Sequence, residues 1–125
     1  MFHSFTLYII MNGGLITDHL MRRIRCVQGS QVVIGLTNDN NKLVGFVRVI
    51  TDFTFKALIF DLIVDKDFRN KGLSKRLVTL VKEHTDLEHV KHFELYCLPE
   101  LKEFYKQFNF SDQTDGIIVL RCENT

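Results

Sequence analysis

One stretch constrains the fold more than any other: Phe60-Asp61-Leu62-Ile63-Val64 runs into the charged turn Asp65-Lys66-Asp67-Phe68-Arg69-Asn70-Lys71, and Gly72-Leu73-Ser74 opens a segment with a different period. The apolar run begins at Lys56 and reads as a long strand interrupted only by Asp61. From Ser74 onward, Leu77, Leu80, Val81 and His84 share one helical face, while Lys75, Arg76, Thr79, Lys82 and Glu83 take the rest. A strand that turns directly into a helix carries the helix's first backbone N–H groups to a fixed point, where they have no partner inside the helix. Those donors favour an anion. Arg69, Lys71 and Lys75 add positive charge, and Gly72 removes the side chain that would hold a ligand off the backbone. The combination suits a pyrophosphate.

The rest of the chain supplies a sheet around that junction. Phe5 to Met11 reads as a first strand stopped by Asn12-Gly13-Gly14, and Thr17 or Asp18 can cap a helix through about Val27. Gln31 to Thr37 and Leu43 to Ile50 form a hairpin across Asn38-Asp39-Asn40-Asn41. Phe93 to Cys97 reads as a further strand, Pro99 starts a helix through about Phe108, and Ile117 to Cys122 reads as a closing strand. The order β, α, β, β, β, α, β, α, β predicts an α/β (α+β) fold. Its central sheet is mixed and mostly antiparallel, with about six strands and helices on both faces.

Composition excludes several function classes. With 16 Lys plus Arg against 15 Asp plus Glu, the net charge of +1 provides no overall field to attract nucleic acid or a membrane surface. The apolar start is about seven residues long, against the ~20 that span a bilayer, and it lacks the basic leader of a signal peptide. Cys26, Cys97 and Cys122 are odd in number and have no CxxC spacing, which argues against a disulfide framework and a zinc site and for a reducing, cytoplasmic setting. At 125 residues there is room for one domain.

Two separated segments resemble a known family. Arg69-Asn70-Lys71-Gly72-Leu73-Ser74 is similar to the pyrophosphate-binding signature of the GNAT superfamily of N-acetyltransferases: Gln or Arg, two residues, Gly, one residue, then Gly or Ala. Ser74 stands in the last place. Phe104-Tyr105-Lys106-Gln107-Phe108-Asn109-Phe110 resembles the family's late helix, in which a Phe-Tyr pair is followed by Gly-Phe. Asn109 replaces that Gly and tolerates the same left-handed backbone. The resemblance covers roughly Gln31 to Leu120. It implies a single acetyltransferase domain over residues 1–125 with a shortened N-terminal helical region, since only one helix fits between Asn12 and Gln31. The acceptor side is then left open, or completed by a second subunit in a homodimer.

The resemblance also implies chemistry. The cosubstrate is acetyl-CoA, with its pyrophosphate on the amides around Asn70, Lys71, Gly72, Leu73, Ser74 and Lys75 beside Arg69. Its pantetheine arm runs along Leu62, Ile63 and Val64, in a gap between that strand and Phe93 to Cys97. Transfer to an amine needs a backbone N–H near Ile63 to stabilise the thioester oxygen. Tyr105 is the candidate general acid for the departing thiolate, or an aromatic packed with Phe104 and Phe108. Asp61 is the candidate base or ammonium holder, or else a residue that bonds a neighbouring backbone or caps a bulge. A non-catalytic acyl-CoA-binding module on the same fold is the alternative.

The remaining candidates read more plainly. His84, His89 and His92 lack ligand spacing, so no metal is expected. Cys97 ends an apolar strand and is expected to be a buried, unreactive thiol. Arg22, Arg23 and Arg25 read as a solvated helix face, and Arg48, Thr51 and Asp52 as an exposed loop region.

Overall fold

The computed structural model describes the backbone of residues 3–6 and residues 28–124. Strand β1 is His3–Thr6, β2 Val32–Thr37, β3 Leu43–Thr51 and β4 Lys56–Val64. A 3-10 turn at Lys66–Phe68 leads to helix α1, Leu73–Lys82. After a second 3-10 turn, Thr85–Leu87, come β5, His92–Leu95, and a third 3-10 turn, Pro99–Leu101, which passes into helix α2, Lys102–Lys106. The helix expected over residues 17–27 and the expected strand beyond Thr6 lie outside the described residues.

The five strands form one mixed sheet in the order β1-β2-β3-β4-β5. Neighbours through β4 are antiparallel, and β5 joins β4 in parallel by the crossover through α1. The sixth expected strand, Ile117 to Cys122, is absent: the segment is irregular, because β-branched side chains favour an extended backbone but supply no neighbouring strand to bond.

Helix α1 buries Leu73, Leu77 and Val81 against Val32, Ile34, Leu36, Val44, Val47, Val49, Ala57 and Ile59. Each such side chain contributes about 1.5–3 kcal/mol on burial. Gly45 permits the close approach, since a Cβ there would meet the Leu77 side chain at 3.3 Å and Leu36 at 3.4 Å. The helix packs across β2, β3 and β4, which fixes where its N-terminus points.

The β3–β4 turn is held by one carboxylate. Asp52 accepts backbone N–H groups from Thr54 at 2.9 Å, Phe55 at 2.8 Å and Lys56 at 3.1 Å. These bonds, that from Thr54 foremost, hold its pKa below the ordinary 3.8. Because the folded value is depressed, the stabilisation is present above pH 3.8 and is lost as pH falls through the folded value. Asp52→Ala is therefore expected to lower the melting temperature at neutral pH, with the difference from wild type narrowing on acidification. A pH-independent difference in thermal melts would contradict this.

Candidate active site

Where β4 ends, Asp65 donates its N–H to the Val44 carbonyl at 2.8 Å, and its side chain accepts the Asp67 N–H at 2.9 Å. The turn then passes through two left-handed residues, Asn70 at φ +62° and Gly72 at φ +78°. Gly72 is the N-cap of α1 and offers no side-chain cap. The Arg76 N–H bonds the Gly72 carbonyl, but no hydrogen bond is donated by the backbone N–H groups of residues 70–75. An uncapped helix end thus presents several free donors together.

These donors face an open cavity of about 350 Å³ lined by Arg69, Asn70, Gly72, Ser74 and Lys75, with Val64, Phe68, Leu73 and Phe104 as apolar walls. A Cβ on Gly72 would enter open space. The Nζ atoms of Lys42 and Lys71 each lie 5.3 Å from the centre of the Phe68 ring, which brings two cations to the same wall. Backbone donors, lysines and a vacant glycine position are what a pyrophosphate-bearing ligand requires. Phe104 was legible only as the neighbour of Tyr105; its spacing of four from Phe108 was the available signal for a shared aromatic face.

The sheet parts below this cavity. Pairing of β4 with β5 ends at Ile59 opposite Leu95, while β4 continues beside β3 through Phe60 to Val64. Ile63 lies opposite Phe46, and Asp65 opposite Val44 donates its N–H to β3. The two-residue alternation of a strand therefore directs the Ile63 N–H to β3 as well, and those of Leu62 and Val64 toward the gap.

A bulge sets the position of Asp61. Phe46 faces Ile63 and Arg48 faces Phe60, so Asp61 and Leu62 together oppose Val47. Asp61 takes φ +56°, and its carboxylate bonds the Arg48 Nε at 2.5 Å. The Arg48 guanidinium lies 4.9 Å from the Phe60 ring centre, and Phe60 meets Tyr96 edge to face at 5.9 Å where the strands separate. Of the residues read as an exposed loop, Arg48 is instead a half-buried member of β3 and Thr51 donates its hydroxyl to the Lys56 carbonyl at 2.6 Å.

Tyr105 is half-buried, edge to face with Phe104 at 5.0 Å and Phe110 at 6.0 Å. Burial, and secondarily the nearby Cys97, push its pKa above 10.0, so the phenol holds its proton at neutral pH. Lys82 donates to the Phe108 carbonyl at 2.6 Å and ties the end of this segment to the end of α1. Asn109 adopts φ +68°, the backbone expected of a residue replacing Gly. Cys97 corrects the expectation of a buried thiol: it is exposed, because β5 leaves the sheet at Leu95 and the chain beyond it is no longer flanked by β4.

Among the described residues, no group of three or more His, Cys, Asp or Glu is gathered as a metal site needs, and no helix is long and apolar enough to cross a membrane. The three histidines are separately engaged: His84 accepts the Asp86 N–H, His89 meets Glu88, and His92 meets the Lys56 ammonium.

A mixed sheet split between two parallel strands, with an uncapped helix end at the head of the split, defines an acetyltransferase-type fold. Residues 14–119 match the acetyltransferase (GNAT) domain family, and the chain belongs to that family. Among curated proteins it is 31% identical over 94 residues to an uncharacterized N-acetyltransferase, ycf52, of Gracilaria tenuistipitata var. liui, covering 73% of this chain and 52% of that one. It is 28% identical to histone acetyltransferase TAP1 of Glycine max, over 64% of this chain and 32% of that protein. The chain spans about half the length of the ycf52 relatives and about a third of the other curated relatives. A GNAT-family acetyltransferase structure from Xanthomonas campestris pv. campestris superposes with a TM-score of 0.73 at 26% identity, covering 82% of this chain and 72% of that one. Glucosamine-6-phosphate N-acetyltransferase of Arabidopsis thaliana shares the fold, with a TM-score of 0.71 at 19% identity over 99% of both chains.

Proposed function

We propose that residues 1–125 form one acetyltransferase domain that moves the acetyl group of acetyl-CoA to a primary amine of a small molecule or protein. The observation that carries this reading is the junction of the unpaired N–H groups at residues 70–75 with the parting of β4 from β5. Donors for a pyrophosphate then stand at the head of a gap with free strand edges, the shape required for a long, amide-bearing arm.

In this reading acetyl-CoA supplies the acyl group as a thioester. The turn from Arg69 to Lys75 binds the pyrophosphate, and Leu62, Ile63 and Val64 form the track for the arm. Beside Ile63, the gap-facing N–H groups of Leu62 and Val64 are the donors we assign to the carbonyl oxygen as it gains negative charge. Tyr105 gives its phenolic proton to the sulfur that leaves, and solvent restores it. The ammonium gives one proton to water before its nitrogen attacks, and the nitrogen gives a second to water as the amide forms.

Asp61 already engages Arg48, so of its two roles we propose the electrostatic one, orienting the incoming ammonium. Asp61→Asn is expected to raise KM for the amine several-fold while acetyl-CoA affinity is kept. An unchanged KM would remove Asp61 from the acceptor site.

The compartment proposed is the cytoplasm. Relatives from Arabidopsis thaliana are named as chloroplastic, so fractionation should score the plastid stroma beside it. The activity itself is tested by an amine panel of polyamines, amino sugars, arylalkylamines and lysine peptides, read by release of free CoA thiol. Acceptor-dependent thiol release supports the enzyme. Acetyl-CoA binding with no release across the panel would favour the non-catalytic module.

A further inference from the structure

At the parting of β4 from β5 stands a charged pair whose cation lies inside and whose anion lies outside. Arg48 sits on β3 opposite Phe60, while its neighbours Val47 and Val49 point to the core under α1. Its side chain is 14% exposed, against 46% for Asp61. Three contacts hold the guanidinium: the Phe60 ring centre at 4.9 Å, the Ser30 hydroxyl 3.4 Å from Nη1, and the Asp61 Oδ2 at 2.5 Å from Nε. A planar cation fixed on several sides is a rigid anchor. The carboxylate keeps its other oxygen, since no hydrogen bond among the described residues reaches Oδ1. An ion pair with one member this exposed adds little to stability, so its geometry matters more than its strength.

The same bond spans the β-bulge. Arg48 faces Phe60 on one side of it and Phe46 faces Ile63 on the other, so one extra residue enters β4 between them. Asp61 is left at φ +56°, a backbone that a residue with a side chain keeps only where its surroundings enforce it. Glycine is the usual occupant of a left-handed bulge position. The side-chain contact that Asp61 makes among the described residues is the one to Arg48. The bulge in turn decides what the gap sees. Without the extra residue Phe46 would face Leu62, and the two-residue alternation would turn the Ile63 N–H to the gap and the Leu62 and Val64 N–H groups to β3.

We propose that Arg48 is a positioning residue of the acceptor site: through Asp61 it pins the bulge and fixes one carboxylate oxygen toward the incoming ammonium. It touches neither substrate itself. Its guanidinium offsets the charge of Asp61, so the pair orients the amine rather than trapping it, and the pinned bulge keeps the Leu62 and Val64 N–H groups aimed at the gap. The effect on turnover rests on the acetyltransferase reading, whereas the effect on the backbone stands without it.

Kinetics and amide exchange on the full chain test the two effects. Arg48→Met is expected to raise KM for the amine several-fold and to lower kcat by about 10- to 100-fold, with the Kd for acetyl-CoA within about twofold of wild type. Arg48→Lys, which keeps a cation beside Asp61, should recover most of both losses. In an Asp61→Gly background, where glycine holds the left-handed position unaided, Arg48→Met should change neither parameter further. Hydrogen exchange read by NMR needs no acceptor: the Ile63 N–H should be protected and those of Leu62 and Val64 unprotected in the wild type, and Arg48→Met should erase that contrast. Wild-type kinetics in Arg48→Met, an equal effect of that change in the Asp61→Gly background, or an unaltered exchange pattern would overturn the role. A lowered melting temperature with KM and kcat intact would reduce Arg48 to a structural part. If the wild type acetylates no amine, the acetyltransferase reading fails, and the exchange pattern still decides whether Arg48 sets the bulge. Where Arg48→Met does not fold, Arg48→Gln takes its place in the same assays.

Discussion

Gly72→Val is expected to lose acetyl-CoA binding while keeping the fold. Two effects act at this residue and separate cleanly. The φ of +78° costs a side-chain-bearing residue about 1–2 kcal/mol, which is charged to stability. The new side chain enters the cavity, where nothing lies within 4 Å of a Cβ, and stands in front of the N–H groups of the following turn. Losing two hydrogen bonds to a charged ligand, at about 1.5–3 kcal/mol each, corresponds to a weakening of at least roughly 100-fold. Gly72→Asn distinguishes the terms, because Asn tolerates the left-handed backbone while still obstructing the cavity. Titration calorimetry should find both variants weak and only the Val variant clearly less stable. Retained affinity in both would place the phosphate site elsewhere.

The second large effect is expected at Tyr105. Tyr105→Phe keeps the ring that packs on Phe104 and Phe110 and removes only the hydroxyl, so fold and acetyl-CoA affinity should hold. A positioned general acid contributes roughly 10²–10⁴-fold, and kcat should fall within that range. A loss in kcat with unchanged acetyl-CoA affinity is the signature of an interaction made only as the reaction proceeds. Steady-state rates that match the wild type would return Tyr105 to a packing role.

The elements that position the site were legible where local chemistry decides them. β4 spans Lys56–Val64 as its apolar run indicates, and α1 begins within one residue of the change in period at Ser74. The left-handed position at Asn109 followed from residue type. What escaped depends on neighbours. The bulge at Asp61 is a property of the β3–β4 pair, and the residue at which β5 parts from β4, Leu95, within the gap that the resemblance implied, is visible only in the pairing. The donor was expected near Ile63, and which N–H groups face the gap requires the register with β3. Cys97 was read as a buried strand end and residues 117–122 as a closing strand because their composition favours it; composition does not say whether a partner strand exists.

The missing side-chain cap on α1 has a thermodynamic consequence. A helix that begins at a left-handed glycine without a capping oxygen leaves its first turn prone to fraying. On the function proposed above, a bound phosphate would supply the acceptor that the sequence withholds, and the ligand would serve as the helix's own terminus. Occupancy and folding are then linked, and the domain's melting temperature becomes a gauge of free ligand concentration. On that same function, a cell that exhausts its acetyl-CoA would leave this helix unfinished.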